Sequence, residues 1–306
     1  MKSVMSGQRM PFRCRIESAF SLLRARRNNL FPGAQEVAQE HRRLLGYLNT
    51  YLQCPVEKMR VLDMGCGQTA AQTALFQADG ADAVGIDVEV PTYRMNLSTF
   101  FRTIRLNGPE RALKSLVRHL LVDKRFFAEL AEAYGKPIPL EEIDTRVMDA
   151  TRMTFESESF DFIFSRSVFE HMDNVEAAVK EMNRVLRPDG IAVVTVHLFP
   201  CLSGGHSAEW IEPDRFPSTS IPLWDHLREN RFPANTYLNK LTIGRYREIF
   251  RAQTEVLKEL TWTEGEKLLT KEIEEELRNK GYTREDLLTS TIIFCVKKKS
   301  FKGGAQ

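Results

Sequence analysis

The chain lacks any run of about 18 apolar residues, so it offers no transmembrane helix. Its opening stretch, MKSVMSGQRMPFRCR, has no apolar core of the kind a secretory signal needs. Cysteine is scarce and poorly spaced for cross-linking. Cys14, Cys54, Cys66, Cys201 and Cys295 make an odd number and contain no C-x-x-C pair. That argues against a disulfide framework or a Cys-rich zinc site and for a reducing compartment, so the expected location is the cytoplasm. Internal repeats and low-complexity stretches are absent. With 42% apolar and 27% charged residues, the composition is that of an ordinary globular protein and excludes disordered, collagen-like and coiled-coil classes. A length of 306 residues allows one large domain or two modest ones.

Net charge is nearly absent too, at +2, but it is unevenly spread. Residues 1–27 and 92–125 each carry +6, which leaves −10 for the remainder. Two basic segments on an acidic body can attract an anionic partner such as a phosphate-bearing substrate, a nucleic acid or a membrane surface. Solvated helix faces would give the same pattern.

Apolar spacing divides the chain. Residues 1–52 read mostly as helix, broken at Phe31-Pro32-Gly33. A buried strand over 60–64, a helix over 70–78 and a strand over 83–86 form a βαβ unit. Residues 92–137 interrupt the alternation with helices expected over 97–106, 110–122 and 125–134. Further strands are expected over 147–149, 160–165, 191–197, 255–262 and 290–297. Helices are expected over 174–186, 241–252 and 266–280, with a turn at Arg187-Pro188-Asp189-Gly190. Residues 198–240 have no periodicity and are rich in Pro, Gly, Trp and His. Strands alternating with helices imply a mainly parallel sheet covered on both faces.

The sharpest local signal is Val61-Leu62-Asp63-Met64-Gly65-Cys66-Gly67-Gln68. A strand ends in an acid, and two glycines carry the backbone through a tight turn into a helix. Such a turn lets a ligand approach the main chain, beside a helix N-terminus that favours anionic groups. Asp87 ends the next strand, where an acid can accept hydrogen bonds from a ribose diol. A nicotinamide dinucleotide fold uses the same logic but wants G-x-G-x-x-G, and here Ala70 stands at the last place.

In order, Asp63-Met64-Gly65-Cys66-Gly67, Gly85-Ile86-Asp87, Asp149-Ala150, residues 159–165, Val168-Phe169-Glu170-His171-Met172 and residues 181–190 resemble the motifs of class I S-adenosylmethionine-dependent methyltransferases. The likeness is to their small-molecule, type 11-like branch, over about residues 58–197. This resemblance implies an α/β, Rossmann-like, seven-stranded mainly parallel sheet with its last strand antiparallel, plus a helical insertion between strands 2 and 3. It implies S-adenosylmethionine as cofactor. Gly65, Cys66 and Gly67 would let the methionine part lie against the backbone, and Asp63 would orient the turn and the amino group. Asp87 would bind both ribose hydroxyls, with Val88 beside it. Asp149 would accept from the adenine amino group, Ala150 would back the ring, and Ser165 would offer backbone near the methionine end. Thr69 departs from the pattern, since many relatives have a third glycine there. The expected organisation is an N-terminal helical segment over 1–52 and a methyltransferase domain over 53–306. That domain would hold the insertion 92–137 and a substrate loop 198–240.

Methyl transfer to a hydroxyl needs alignment and a proton acceptor, and histidine suits the second task near neutral pH. His171 and His197 each follow a strand whose end faces the cofactor, which makes them the candidate bases. Structural hydrogen bonds would account for either equally. His206, Trp210, Trp224 and His226 are candidate substrate contacts, with Asp225 a candidate partner for His226 and Gly204-Gly205 a candidate lid hinge. His206 and Glu209 are spaced to share a metal, but with no convincing third ligand no metal site is assigned. The His/Trp loop and residues 233–240 resemble, more loosely, bacterial glycan and polysaccharide methyltransferases. The expected acceptor is therefore a small molecule or glycan, with an anionic handle. The stretch 110–127 places Leu113, Leu116, Val117, Leu120 and Leu121 among basic residues. That pattern fits a peripheral membrane contact, or an apolar face packed onto the body. An RNA methyltransferase and a non-catalytic cofactor-binding scaffold are the competing readings. No Asn-Pro-Pro-Tyr-type base clamp supports the former, so nucleic acid is the less favoured partner.

Overall fold

The computed structural model describes residues 33–210 and 212–299. The basic segment 1–27 therefore lies outside the described residues. Seven strands form one sheet in the order β3-β2-β1-β4-β5-β7-β6. They are β1 (Arg60–Met64), β2 (Asp82–Asp87), β3 (Asp144–Val147), β4 (Phe160–Arg166), β5 (Leu186–His197), β6 (Thr254–Thr263) and β7 (Thr289–Lys298). Strands β1 to β5 pair in parallel, while β7 runs antiparallel between β5 and β6. The sheet is thus the expected α/β, Rossmann-like arrangement. The chain order reverses between β1 and β4, the kind of place where open α/β sheets bind ligands at their carboxyl edge.

Helix α1 (Ala34–Tyr51) packs Leu44 and Leu48 against Val61, Phe76 and Phe162 on one face of the sheet. The other face is covered by α6 (Val175–Val185) and α7 (Ile243–Gln253), through Ala178, Met182, Tyr246 and Phe250. The larger of them, such as Leu44, Leu48, Met182 and Phe250, each remove from water an area worth about 1.5–3 kcal/mol. Asn174 and Thr242 cap the two helices by accepting from the amides of Ala177 and Arg245. Helix α2 (Ala71–Ala78) joins β1 to β2.

The insertion between β2 and β3 is α3 (Leu97–Asn107), α4 (Pro109–Arg118) and α5 (Lys124–Tyr134), with a single wide turn over His119–Asp123 between the last two. Gly108 at φ +91° and Pro109 at the first helical position start α4. The orientation of α4 is not that of an apolar face packed on the body. Leu113, Val117 and Leu120 face solvent, whereas Ala112 and Ser115 are buried. Polar anchors decide this, because Arg111 pairs with Glu89 and Arg118 with Asp123 on the inward side.

Other expectations shift. The third strand lies at Asp144–Val147 rather than 147–149. The long charged helix splits into a 3-10 turn at Glu266–Leu268 and α8 (Lys271–Asn279), because Thr270 caps a new start by accepting from the Ile273 amide. A short α9 (Arg284–Leu288) follows. Among the described residues no helix is long and apolar enough to cross a membrane.

Candidate active site

The turn after β1 needs both its glycines, for different reasons. Gly65 sits at φ +90°, and a Cβ there would lie 2.3 Å from Val168. Gly67 sits at φ +65°, and a Cβ there would project into open space. One glycine permits close packing, and the other leaves a cradle that a side chain would fill. Thr69 needs no glycine, since the positive φ falls instead on Ala70, at +46°, where α2 begins.

Asp63 and Asp87 flank this turn, and Asp149 follows β3. Asp63 is buried and accepts from the Thr73 hydroxyl at 2.8 Å, which fastens the end of β1 to α2. Burial, reinforced by Asp87 and partly offset by Thr73, pushes its pKa up to about 7. Asp87 accepts from the amides of Gly67 at 3.0 Å and Glu89 at 2.8 Å, one on each oxygen. Burial raises its pKa, against those two hydrogen bonds. A carboxylate has about four acceptor sites, so two remain for a diol. Val88, beside it, is 67% exposed and offers an apolar surface. Asp149 is exposed and turns one oxygen onto the Thr151 amide and hydroxyl, while Ala150 is buried beside it. Cys66 is buried, with its amide donating to the Ile86 carbonyl. The Ser165 hydroxyl donates to the Met64 carbonyl at 2.6 Å, tying the ends of β4 and β1.

The open cradle at Gly67, the vacant acceptor positions of Asp87 and the bare face of Val88 together fit an adenosyl group with a methionine tail. A model of a methyltransferase domain matches residues 115–194. That match and the geometry of the turn support S-adenosylmethionine-dependent methyl transfer as the activity. No curated protein matches the sequence. Among solved structures it is similar to the PH0226 protein of Pyrococcus horikoshii OT3, at 15% identity, covering 87% of this chain and 92% of that one with a TM-score of 0.44. It is also similar to a phosphoethanolamine N-methyltransferase 2 of Haemonchus contortus, at 16% identity, 85% and 53% coverage and a TM-score of 0.46. A geranyl diphosphate C-methyltransferase of Streptomyces coelicolor A3(2) shows 11% identity, 83% and 78% coverage and a TM-score of 0.44.

Val168 presses on Gly65, and this contact sets the 3-10 turn Phe169–His171 against the cofactor cradle. Glu170 is buried, and neither of its oxygens has a hydrogen-bond partner. The amides of Glu170 and His197 approach it without meeting hydrogen-bond geometry, and burial drives its pKa up to about 8. His171 Nδ1 lies 2.9 Å from the Tyr237 carbonyl. A carbonyl only accepts, so Nδ1 carries the proton and Nε2 keeps its lone pair. His197 Nε2 lies 3.1 Å from the Ser203 hydroxyl. Burial lowers its pKa, against the charge of Glu264.

The structure brings His206 to both candidate bases. Its ring centroid is 5.1 Å from that of His171 and 5.2 Å from that of His197. It is exposed at the mouth of the cluster. The protein around the ring, followed by the neighbouring imidazoles of His197, His171 and His226, pushes its pKa below the ordinary range. The glycines before it form no hinge. A Cβ on Gly204 would lie 2.1 Å from the Phe199 carbonyl oxygen, so the turn is fixed by close packing. His206 itself sits at φ +55°, a left-handed conformation that few non-glycine residues adopt.

Two sequence expectations are corrected here, and Glu209, to which no metal role was assigned, is engaged elsewhere. Trp210 and Trp224 are buried with Leu202, Leu227 and Leu277 in a separate apolar cluster, so they pack rather than present a stacking face. Asp225 accepts from the Phe232 amide and His226 Nε2 donates to the Phe199 carbonyl, so the two form no acid–histidine pair. Glu209 is held by the hydroxyls of Ser218 and Ser220 instead of joining His206. Sequence reasoning missed Glu170 as a site residue, although its place beside His171 at a strand end was a usable signal. It also missed Arg118 and Gln68, whose meeting across the insertion leaves no local trace.

Proposed function

We propose that this methyltransferase methylates a hydroxyl of a small, sugar-like acceptor bound beside the imidazole cluster. The observation that carries the reading is the convergence of His171, His197 and His206 next to the glycine turn. S-adenosylmethionine, when bound, supplies an electrophilic methyl group on a sulfonium. The acceptor oxygen gives up its proton to His171 or His197 and forms a bond to the methyl carbon. The carbon–sulfur bond breaks, its electron pair stays on sulfur, and neutral S-adenosylhomocysteine is left. His171 Nε2 has the free lone pair this needs, and general-base help of this kind is worth about 10²–10⁴-fold.

The exposed Arg102 and Arg105 on α3 support an acceptor with a phosphate handle. The exposed row Leu113, Val117 and Leu120, with Lys114 on the same helix, supports a peripheral contact with an anionic lipid surface. The test is transfer of radiolabelled methyl to a panel of sugars, sugar phosphates and other small alcohols, with RNA as a competitor. The reading expects label on an oxygen of a small acceptor, reduced at least 100-fold in His171→Ala or His197→Ala. Label in RNA, with salt-dependent RNA binding, or label on nitrogen would overturn it.

A further inference from the structure

Glu170, His171 and His206 each offer one ligand atom, and the three atoms lie within 4.8 Å of one another. We propose that these residues form a binding site for a divalent first-row transition metal, with a coordination position left open toward the acceptor. Glu170 is 1% exposed, with both oxygens unpartnered. Buried carboxylates in folded proteins are paired, hydrogen-bonded or bound to a metal. A cation would supply the partner that Glu170 lacks, and the atoms nearest to the task of holding it are imidazole nitrogens.

The chemistry of the donors agrees. The Tyr237 carbonyl takes the Nδ1 proton of His171, which fixes the tautomer whose Nε2 can ligate. A backbone carbonyl behind a histidine is the usual outer support of a metal ligand. His206 makes no hydrogen bond through its ring among the described residues, so neither nitrogen is committed elsewhere. Its left-handed backbone and the packed Gly204-Gly205 turn aim that ring at His171. Two imidazoles and one carboxylate suit zinc, cobalt, manganese or ferrous iron rather than calcium. His197 stands outside the ligand set, engaged with Ser203.

Three protein ligands leave room for a substrate oxygen, as in catalytic rather than structural metal sites. A metal there would hold the acceptor hydroxyl and acidify it; His171 Nε2 would then serve as a ligand, and the proton would pass to His197, the other candidate base. That use rests on the hydroxyl-acceptor reading above, whereas the binding of metal does not.

The experiment is titration of the full-length, tag-free, chelator-treated protein with Co²⁺, followed by calorimetry and by visible absorption. The same titration is run on His206→Ala and Glu170→Gln, and each protein is also titrated with S-adenosylhomocysteine. The expected result is one Co²⁺ per chain, with visible bands. Affinity should fall at least tenfold in each variant while S-adenosylhomocysteine binding stays at the wild-type level. Absence of saturable Co²⁺ binding, or equal binding in wild type and both variants, overturns the metal site. Failure of the hydroxyl-acceptor reading shows separately, as methylation of nitrogen or of RNA by a protein that still binds Co²⁺ through these residues.

Discussion

The guanidinium of Arg118, on the insertion, donates to the side-chain carbonyl of Gln68, on the glycine turn. The same guanidinium reaches the Thr92 hydroxyl at 2.9 Å and the buried Asp123 at 3.1 Å. Gln68 also donates to Glu89, which Arg111 holds from α4. The insertion is thus latched onto the cofactor turn by a polar network. Arg118→Ala should strand the buried Asp123 and loosen both partners. Hydrogen exchange across 97–134 is expected to speed up, and S-adenosylhomocysteine affinity to fall about tenfold, the loss of one charge-assisted hydrogen bond. Unchanged exchange would show that the latch holds nothing.

Gly65 and Gly67 should fail in different ways. Gly65→Ala places a Cβ against Val168 at a positive φ, so a stability loss of about 2–4 kcal/mol is expected. Gly67→Ala meets no protein atom and carries only the backbone strain of about 1–2 kcal/mol, but it fills the cradle. It is expected to melt closer to wild type and to lose cofactor affinity disproportionately. Thermal melting and calorimetry on the two variants separate the effects.

Asp63 gives the unliganded protein a pH signature. Burial raises its pKa from 3.8 to about 7, so the folded state keeps a proton that the unfolded chain releases. Its contribution is complete below the unfolded pKa and is lost as pH rises through about 7. Asn at this position stays neutral and can still accept from Thr73. Between pH 4 and pH 8, Asp63→Asn should gain on wild type by on the order of 2–4 kcal/mol in denaturant titrations. A pH-independent difference would mean that Asp63 is ionised throughout.

The exposed apolar row on α4 and the wide turn after it makes a prediction that burial would reverse. Leu113, Val117 and Leu120 are 58%, 48% and 63% exposed. Replacing all three with Ser should change stability by less than about 1 kcal/mol, against about 2–5 kcal/mol for each in a core. Sedimentation with vesicles containing anionic lipid should fall in the same variant.

What the sequence revealed follows from how local each signal was. The strand expected over 60–64 coincides with β1, because Val61, Leu62 and Met64 form a short apolar stretch stopped by Gly65. β3 was displaced because Asp144 and Arg146 occupy an edge strand that needs no apolar run. The glycine turn and Asp87 were legible as contiguous motifs. The apolar positions of 110–127 leave two readings open, since periodicity shows that a helix has an apolar side but not which side its neighbours take. Arg118 and Gln68 are separated by 50 residues, and so nothing in their local sequence announces the contact. The tryptophans beside the histidines drew attention as stacking surfaces, but lie in a core of their own. His206 was noticed for its company in the loop, and only the fold shows it turned toward His171.

The most direct test of the account is calorimetric titration of S-adenosylhomocysteine into wild type and Asp87→Ala, with NAD as a second ligand. The account predicts one site per chain for S-adenosylhomocysteine, weakened by about 10–100-fold when the carboxylate is removed, and no binding of NAD. Binding indifferent to Asp87, or a preference for NAD, would contradict it.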